Sequence, residues 1–114
     1  SCSETPRSDD SEGCFALARM YDQGTGTGKD RAEAVRLYRL ACTVLRPKKG
    51  EACYLLAQAY KEGTVVDFDA NAMSQYSREA CELGVEEGCM EWHLDTCNRL
   101  GQPASCQWLE KRKK

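Results

Sequence analysis

The chain has 114 residues and a formal net charge of -2, and 30% of its residues are charged. This length suits one domain, no apolar run is long enough to span a bilayer, and the charge balance excludes a nucleic-acid footprint over the whole domain. Leu, Ile, Val and Phe make up only 15% of the residues, a fraction more typical of disorder than of a packed core. The 8 cysteines are therefore expected to help hold the fold.

The first predicted element is an amphipathic helix that begins near Cys14. Apolar residues recur at i, i+3, i+4 and i+7, which places them on one helical face: Cys14, Leu17, Ala18 and Tyr21. Gly24 follows where a left-handed C-cap favours glycine. A second helix is predicted from Asp30, a good N-cap residue. Its buried stripe is predicted to be Ala34, Leu37, Tyr38 and Ala41.

The same pattern recurs one repeat later. Residues 14–42 align with residues 53–81 without a gap, and 10 of the 29 positions are identical. Gly63 and Asp69 then take the cap positions, and the second stripe consists of Met73, Tyr76, Ser77 and Ala80. A third start appears at Glu87-Gly88-Cys89, and starts 39 and 36 residues apart fall in the period range of helical solenoids.

After Leu94 the pattern breaks. Gly101-Gln102-Pro103-Ala104 is predicted to be a turn, and Ala104 or Ser105 is predicted to open a last helix. Because solenoids need atypical terminal repeats, this region is interpreted as a cap. The prediction is one all-α domain over residues 1–114, with an N-terminal extension (1–13), repeat 1 (14–49), repeat 2 (50–85) and a shortened capping repeat (86–114).

The cysteines favour disulfides over metal or redox sites. No CxxC pair occurs and the chain has one histidine, so the usual zinc spacings are absent. Four bridges in an oxidising compartment are the simplest interpretation, and eight cysteines allow 105 connectivities. Ser1-Cys2 also fits the lipidated start of a bacterial lipoprotein, but full pairing is favoured because it leaves no thiol over.

These residues resemble the Sel1-like repeat, a relative of the tetratricopeptide repeat. The resemblance rests on Leu17-Ala18-Arg19-Met20-Tyr21, Gly24, Gly26, Lys29-Asp30, Ala34, Tyr38 and Ala41, and on Leu56-Ala57, Tyr60, Gly63, Asp69, Tyr76 and Ala80. Val65-Val66-Asp67-Phe68 departs from the family pattern. The added cysteines are similar to those of the cysteine-rich Sel1 subfamily, typified by secreted Helicobacter cysteine-rich proteins. The resemblance implies a short αα-solenoid.

In that subfamily a disulfide joins the end of one repeat to the start of the next. The resemblance therefore implies the pairs Cys42–Cys53 and Cys81–Cys89. Cys2 and Cys14 have a similar spacing and the same Glu-Gly-Cys ending, so they are predicted to pair as well. Cys97 and Cys106 then remain for the cap.

No catalytic, cofactor or metal site is predicted. The segment from Gly24 to Asp30 does not match a phosphate-binding loop, because Gln23 and Asp30 occupy key positions of that motif. His93 is expected to pack in the cap or lie on the surface. The loop carboxylates, including Asp22 and Glu62, are interpreted as solvated charge, and no nucleophile–base set is found.

The remaining prediction is a non-enzymatic protein-binding module, periplasmic or secreted. Its binding face is predicted on the first helices, with these residues as candidates: Arg19, Asp22, Gln23, Gln58, Lys61, Glu62 and Trp92, with Phe15 and Tyr54 as additional aromatics that are equally expected to pack between repeats. The resemblance implies an inhibitor or immunity protein that neutralises a toxin or lipase. Two alternatives stay open: an adaptor fragment of a longer Sel1 array, and weak penicillin-binding or β-lactamase-like activity, although the chain has no S-x-x-K motif.

Overall fold

The computed structural model describes residues 2, 10–26 and 28–112. Within these residues the chain forms six α-helices in three consecutive antiparallel pairs: α1 (Ser11–Gln23), α2 (Arg31–Thr43), α3 (Gly50–Glu62), α4 (Ala70–Glu82), α5 (Glu86–Asn98) and α6 (Pro103–Arg112). Most of the predicted extension 1–13, one loop residue at position 27 and the last two basic residues lie outside the described part of the chain. None of the six helices is long and apolar enough to cross a membrane.

The predicted caps are confirmed for the two full repeats. Gly24 and Gly63 adopt φ values of 74° and 70° at the C-caps of α1 and α3, a conformation that a side chain would strain. Asp30 and Asp69 accept hydrogen bonds from the amides of Glu33 and Ala72 at the N-termini of α2 and α4.

The predicted start of the last helix was wrong. It starts at Pro103, before Ala104 and Ser105. Proline suits the first helical position because its φ is already helical and its missing N–H would have no partner there. The interhelical turn is therefore shorter than the predicted one.

Helix α2 packs between α1 and α3, and α4 packs between α3 and α5, so the pairs stack into an elongated array of 44 × 27 × 23 Å. The predicted stripe of α2 is buried, as are Met73, Ser77 and Ala80 of α4, while Tyr76 is partly buried against the core. Small side chains allow this close approach. At Gly88 of α5, an added Cβ would lie 2.8 Å from the Ala80 Cβ, so α5 approaches α4 more closely than any side chain permits. This packing explains how so few branched aliphatic residues suffice.

The disulfides follow the predicted order, linking cysteines that are neighbours in sequence: Cys2–Cys14, Cys42–Cys53, Cys81–Cys89 and Cys97–Cys106. The bridges at Cys42 and Cys81 join the end of one pair of helices to the start of the next. The Cys2 sulfur is bonded to Cys14, which leaves no thiol there for a lipid.

Candidate functional site

An open groove of about 610 Å³ lies between α1, α3 and the turn that joins α4 to α5. We call it the α1–α3 groove, and these residues line it: Arg19, Asp22, Gln23, Glu51, Tyr54, Leu55, Gly84, Val85, Glu86 and Glu87. Tyr54, Leu55 and Val85 are half-buried and form an apolar strip. Four of the lining residues carry carboxylates and one carries a guanidinium, so the groove is acidic.

Two of these carboxylates are unengaged. Glu51 and Glu87 are exposed and have no ion-pair partner among the described residues, whereas nine other carboxylates on helices α1–α5 do, Asp22 and Glu86 of this groove among them. Both hold the same position, two residues before a repeat cysteine. The recurring Glu of the Glu-Ala-Cys and Glu-Gly-Cys motifs is the sequence signal from which they could have been found.

The structure brings three of the seven predicted binding residues into this groove. Arg19, Asp22 and Gln23 line it. Asp22, however, is not a solvated loop charge as the sequence suggested. Its carboxylate accepts a hydrogen bond from the Tyr38 hydroxyl at 3.0 Å and from Arg31 Nε at 3.1 Å.

The three predicted residues on α3 make contacts within the chain. Gln58 and Lys61 both donate to Glu91 of α5, at 3.1 Å and 2.9 Å. Glu62 is exposed, as expected for a solvated charge, and it also forms an ion pair with Arg31. These contacts tie α3 to α5 and to α2, so a partner would have to displace them to use these side chains.

Trp92 lies in a different groove, formed by α4, α5 and the start of α6. There it belongs to a stack of three rings with an arginine at each end. Arg78 lies over Trp92, His93 lies between Trp92 and Trp108, and Arg112 lies over Trp108. The stack gives the capping pair aromatic packing in place of aliphatic residues.

His93 packs in this cap, which is one of the two alternatives that the sequence analysis left open. Burial lowers the pKa of His93, so the neutral ring is favoured. Its Nδ1 shares a hydrogen bond of 2.8 Å with the Ser105 hydroxyl, which also accepts from Thr96.

The His93–Ser105 pair is a serine–histidine contact that the sequence analysis missed, because the two residues come from different helices. Ser105 lies at the edge of the groove that contains Trp92, but it is only 5% exposed. A nucleophile must reach its substrate, so this arrangement packs and orients the ring rather than providing a reactive hydroxyl.

The described residues contain one group of side chains that could bind a metal ion, but its two sulfur atoms are already bonded to each other. It consists of Cys2, Asp10 and Cys14, and both of its sulfurs form the first disulfide. Disulfide sulfur is not the thiolate that metals bind, so this group is structural.

Helix–turn–helix pairs that stack one after another in chain order define an αα-solenoid. The family model of the Sel1 repeat matches residues 11–43 and 50–73, together half of the chain. The chain belongs to the Sel1 repeat family.

A crystal structure described as a Sel1 repeat protein from Oxalobacter formigenes has the same fold. It superposes with a TM-score of 0.70 and 25% sequence identity over 77% of this chain. The present chain spans 35% of the length of that protein. No curated protein sequence matches the chain.

Sel1 repeats are protein-interaction modules. The family is generally a non-enzymatic protein-binding scaffold. The four disulfides suggest an oxidising environment.

Proposed function

We propose that this chain is a non-enzymatic protein-binding module of an exported protein and that the α1–α3 groove contacts the partner. The observation that carries the proposal is that two carboxylates of the groove form no ion pair. Glu51 and Glu87 are unpaired in a groove that also contains an apolar strip, while most other described carboxylates form ion pairs, including Asp22 and Glu86 of the same groove. Unpaired charges beside half-buried apolar side chains favour binding of a complementary surface.

Three of the predicted contact residues, Arg19, Asp22 and Gln23, are part of this proposal because they line the groove. Gln58, Lys61 and Glu62 are proposed to act indirectly, by holding α3 against α5 and α2 through their pairs with Glu91 and Arg31. Trp92, which lies beneath Arg78, remains a candidate contact residue on a separate surface.

We propose a periplasmic or secreted location, supported by the four disulfides. The specific role we propose is an inhibitor or immunity protein that blocks a secreted toxin or lipase. A small, rigid, disulfide-linked module suits tight one-to-one binding, because little conformational entropy is lost on association.

We also propose one domain over residues 1–114, with repeats at 14–49 and 50–85 and a cap at 86–114. Each of these three ranges contains one antiparallel pair of helices, although α1 begins at Ser11.

The second candidate function is an adaptor segment within a longer Sel1 array. It is favoured by the comparison with the solved Sel1 protein, of which this chain spans 35%. In that case the partner would contact several neighbouring repeats as well as this groove.

The test uses the purified, oxidised protein as bait in a periplasmic or secreted extract. We expect one specific partner that the wild type retains and the double variant Glu51→Lys/Glu87→Lys loses. The matched control is Asp67→Lys/Glu82→Lys, which changes the net charge equally and lies outside the groove. A partner captured equally by both double variants would contradict the proposed site, and hydrolysis of the chromogenic β-lactam nitrocefin above buffer would contradict the non-enzymatic assignment.

A further inference from the structure

A second groove, of about 530 Å³, is formed by α4, α5 and the start of α6. We call it the α4–α6 groove. It shares no lining residue with the α1–α3 groove, so a ligand here is independent of the function proposed above. These side chains of the groove are the ones that a ligand can contact: Asn71, Gln75, Arg78, Trp92, Arg99 and Leu100.

The groove exists because α5 departs from the repeat at one position. Seven residues after the cysteine, α1 and α3 carry Tyr21 and Tyr60, whereas α5 carries Thr96. The Tyr60 ring stacks on Tyr76 of α4 and lies beneath Arg39 of α2, so it fills space between these two helices. The short Thr96 side chain lines the groove and leaves the corresponding space between α4 and α6 open.

The α4–α6 groove lies inside the array and not at one of its ends. In the inner repeats, the next first helix packs on the second helix before it, α3 on α2 and α5 on α4. A repeat after α6 would pack on α6 in the same way. The corresponding place over α3 is filled by side chains of α2, α3 and α4. The opening therefore results from the residues that line the groove.

Two arginines and no carboxylate line the groove in the described part of the chain. Asp95 accepts two hydrogen bonds of 2.9 Å from Nε and Nη2 of Arg99 and fixes its guanidinium, while no hydrogen bond of Nη1 is described. Arg78 lies 3.4 Å from Glu82, and both side chains are more than half exposed. Such an exposed pair contributes little, so Arg78 is available to another carboxylate.

The rest of the groove suits a peptide better than a small anion. Leu100 is 52% exposed, and beside it the Trp92 ring is half-buried, so the groove has an apolar part. Asn71 and Gln75 are exposed carboxamides that can donate to and accept from a peptide backbone. A free anion would use the arginines and leave the apolar part in water.

We propose that the α4–α6 groove binds an acidic peptide segment of another protein. Asp or Glu carboxylates of the segment pair with Arg78 and with the free amino group of Arg99, because guanidinium groups bind carboxylates by charge-assisted hydrogen bonds. An apolar side chain next to these carboxylates packs against Leu100 and Trp92. The charge of the ligand is opposite to that expected for the acidic α1–α3 groove.

The test measures binding by fluorescence anisotropy, with the oxidised protein and a fluorescein-labelled peptide of alternating Glu and Leu. A peptide with Gln in place of Glu is the matched ligand control. We expect saturable binding of the Glu peptide alone, weakened by added salt. Arg78→Gln should weaken it about tenfold or more, because a charge-assisted hydrogen bond is lost. Arg39→Gln is the matched variant and should bind like the wild type, since Arg39 has the same repeat position, also lies over a ring and is outside the groove.

Two further measurements separate a peptide site from a simple anion site. Leu100→Ser should also weaken binding, and free glutamate at the concentration of the peptide should not displace it. Equal affinity for the Glu and Gln peptides, or no binding of either, would overturn the proposal. Equal losses in Arg78→Gln and Arg39→Gln would do the same, as would displacement by free glutamate. Circular dichroism confirms that each variant is folded.

Discussion

The Tyr38 hydroxyl donates a hydrogen bond of 3.0 Å to the Asp22 carboxylate. This bond joins α2 to α1, which forms one side of the α1–α3 groove. Asp22 also accepts from Arg31, and Arg31 reaches Glu62 of α3. Asp22 and Arg31 together thus connect three helices from two repeats. Burial, together with the hydrogen bond to Asp22, raises the pKa of Tyr38 above its ordinary value.

Tyr38→Phe should lower the free energy of unfolding by about 1 kcal/mol, because it removes this hydrogen bond and leaves the packing of the ring intact. Tyr54→Phe is the control, since no hydrogen bond of the Tyr54 hydroxyl is described, and it should change stability by less than about 0.5 kcal/mol. Denaturant unfolding of the oxidised protein measures both. Equal effects of the two substitutions would show that the Tyr38–Asp22 contact contributes nothing.

The aspartate caps give a second prediction. Asp30→Ala and Asp69→Ala should each cost about 1 kcal/mol of stability, because each leaves an amide of the first helical turn without its acceptor. Asp67→Ala, in the loop before α4, should cost less than about 0.5 kcal/mol. The same unfolding experiment distinguishes them, and a cost at Asp67 that matches the cost at Asp69 would argue against capping.

The disulfides are predicted to be indispensable. Each closes a loop of about ten residues and is worth roughly 2.5–3 kcal/mol in the chain-entropy model, while whole domains are stable by about 5–15 kcal/mol. Reduction of all four should therefore unfold the chain. Far-ultraviolet circular dichroism with and without reductant measures this, and a helical signal unchanged after complete reduction would refute the prediction.

Stability is also predicted to depend on pH through His93. Burial lowers the pKa of His93 in the folded protein below its value in the unfolded chain. The unfolded state then binds the proton first as the pH falls through about 6.5, so this residue makes the protein less stable in that window. Above it both states are neutral and the effect vanishes.

The measurement compares the free energy of unfolding of the wild type and His93→Gln at a series of pH values. Because the chain has one histidine, the difference between the two curves isolates its contribution. The stability of the wild type should fall relative to the variant as the pH is lowered from 7.5 towards the folded pKa. A constant difference would contradict a lowered pKa.

The helices and caps could be predicted because they depend on local spacing. Gly24, Gly63, Asp30 and Asp69 all have the predicted roles, since a cap involves residues only a few positions apart. The disulfide order came from the family resemblance. It joins neighbours in sequence, so it did not require knowledge of the curvature of the array.

The binding face was less predictable because it depends on contacts between repeats. Gln58 and Lys61 have the right helical position, but Glu91 of the divergent cap engages them. Nothing in the local pattern around residue 91 indicates this pairing. Glu51 and Glu87 were visible as part of a repeated motif, yet their unpaired state follows only from the arrangement of all the neighbouring charges.

The most direct test of the central claim, that the α1–α3 groove contacts a protein partner, is site-specific photocrosslinking. The photoreactive residue p-benzoylphenylalanine replaces Tyr54 in the groove or, in a control, Phe68, which is 65% exposed in the loop between α3 and α4. Irradiation in the native oxidising compartment should give one discrete protein adduct from position 54 and none from position 68. Adducts from position 68 alone, or equal adducts from both, would contradict the account.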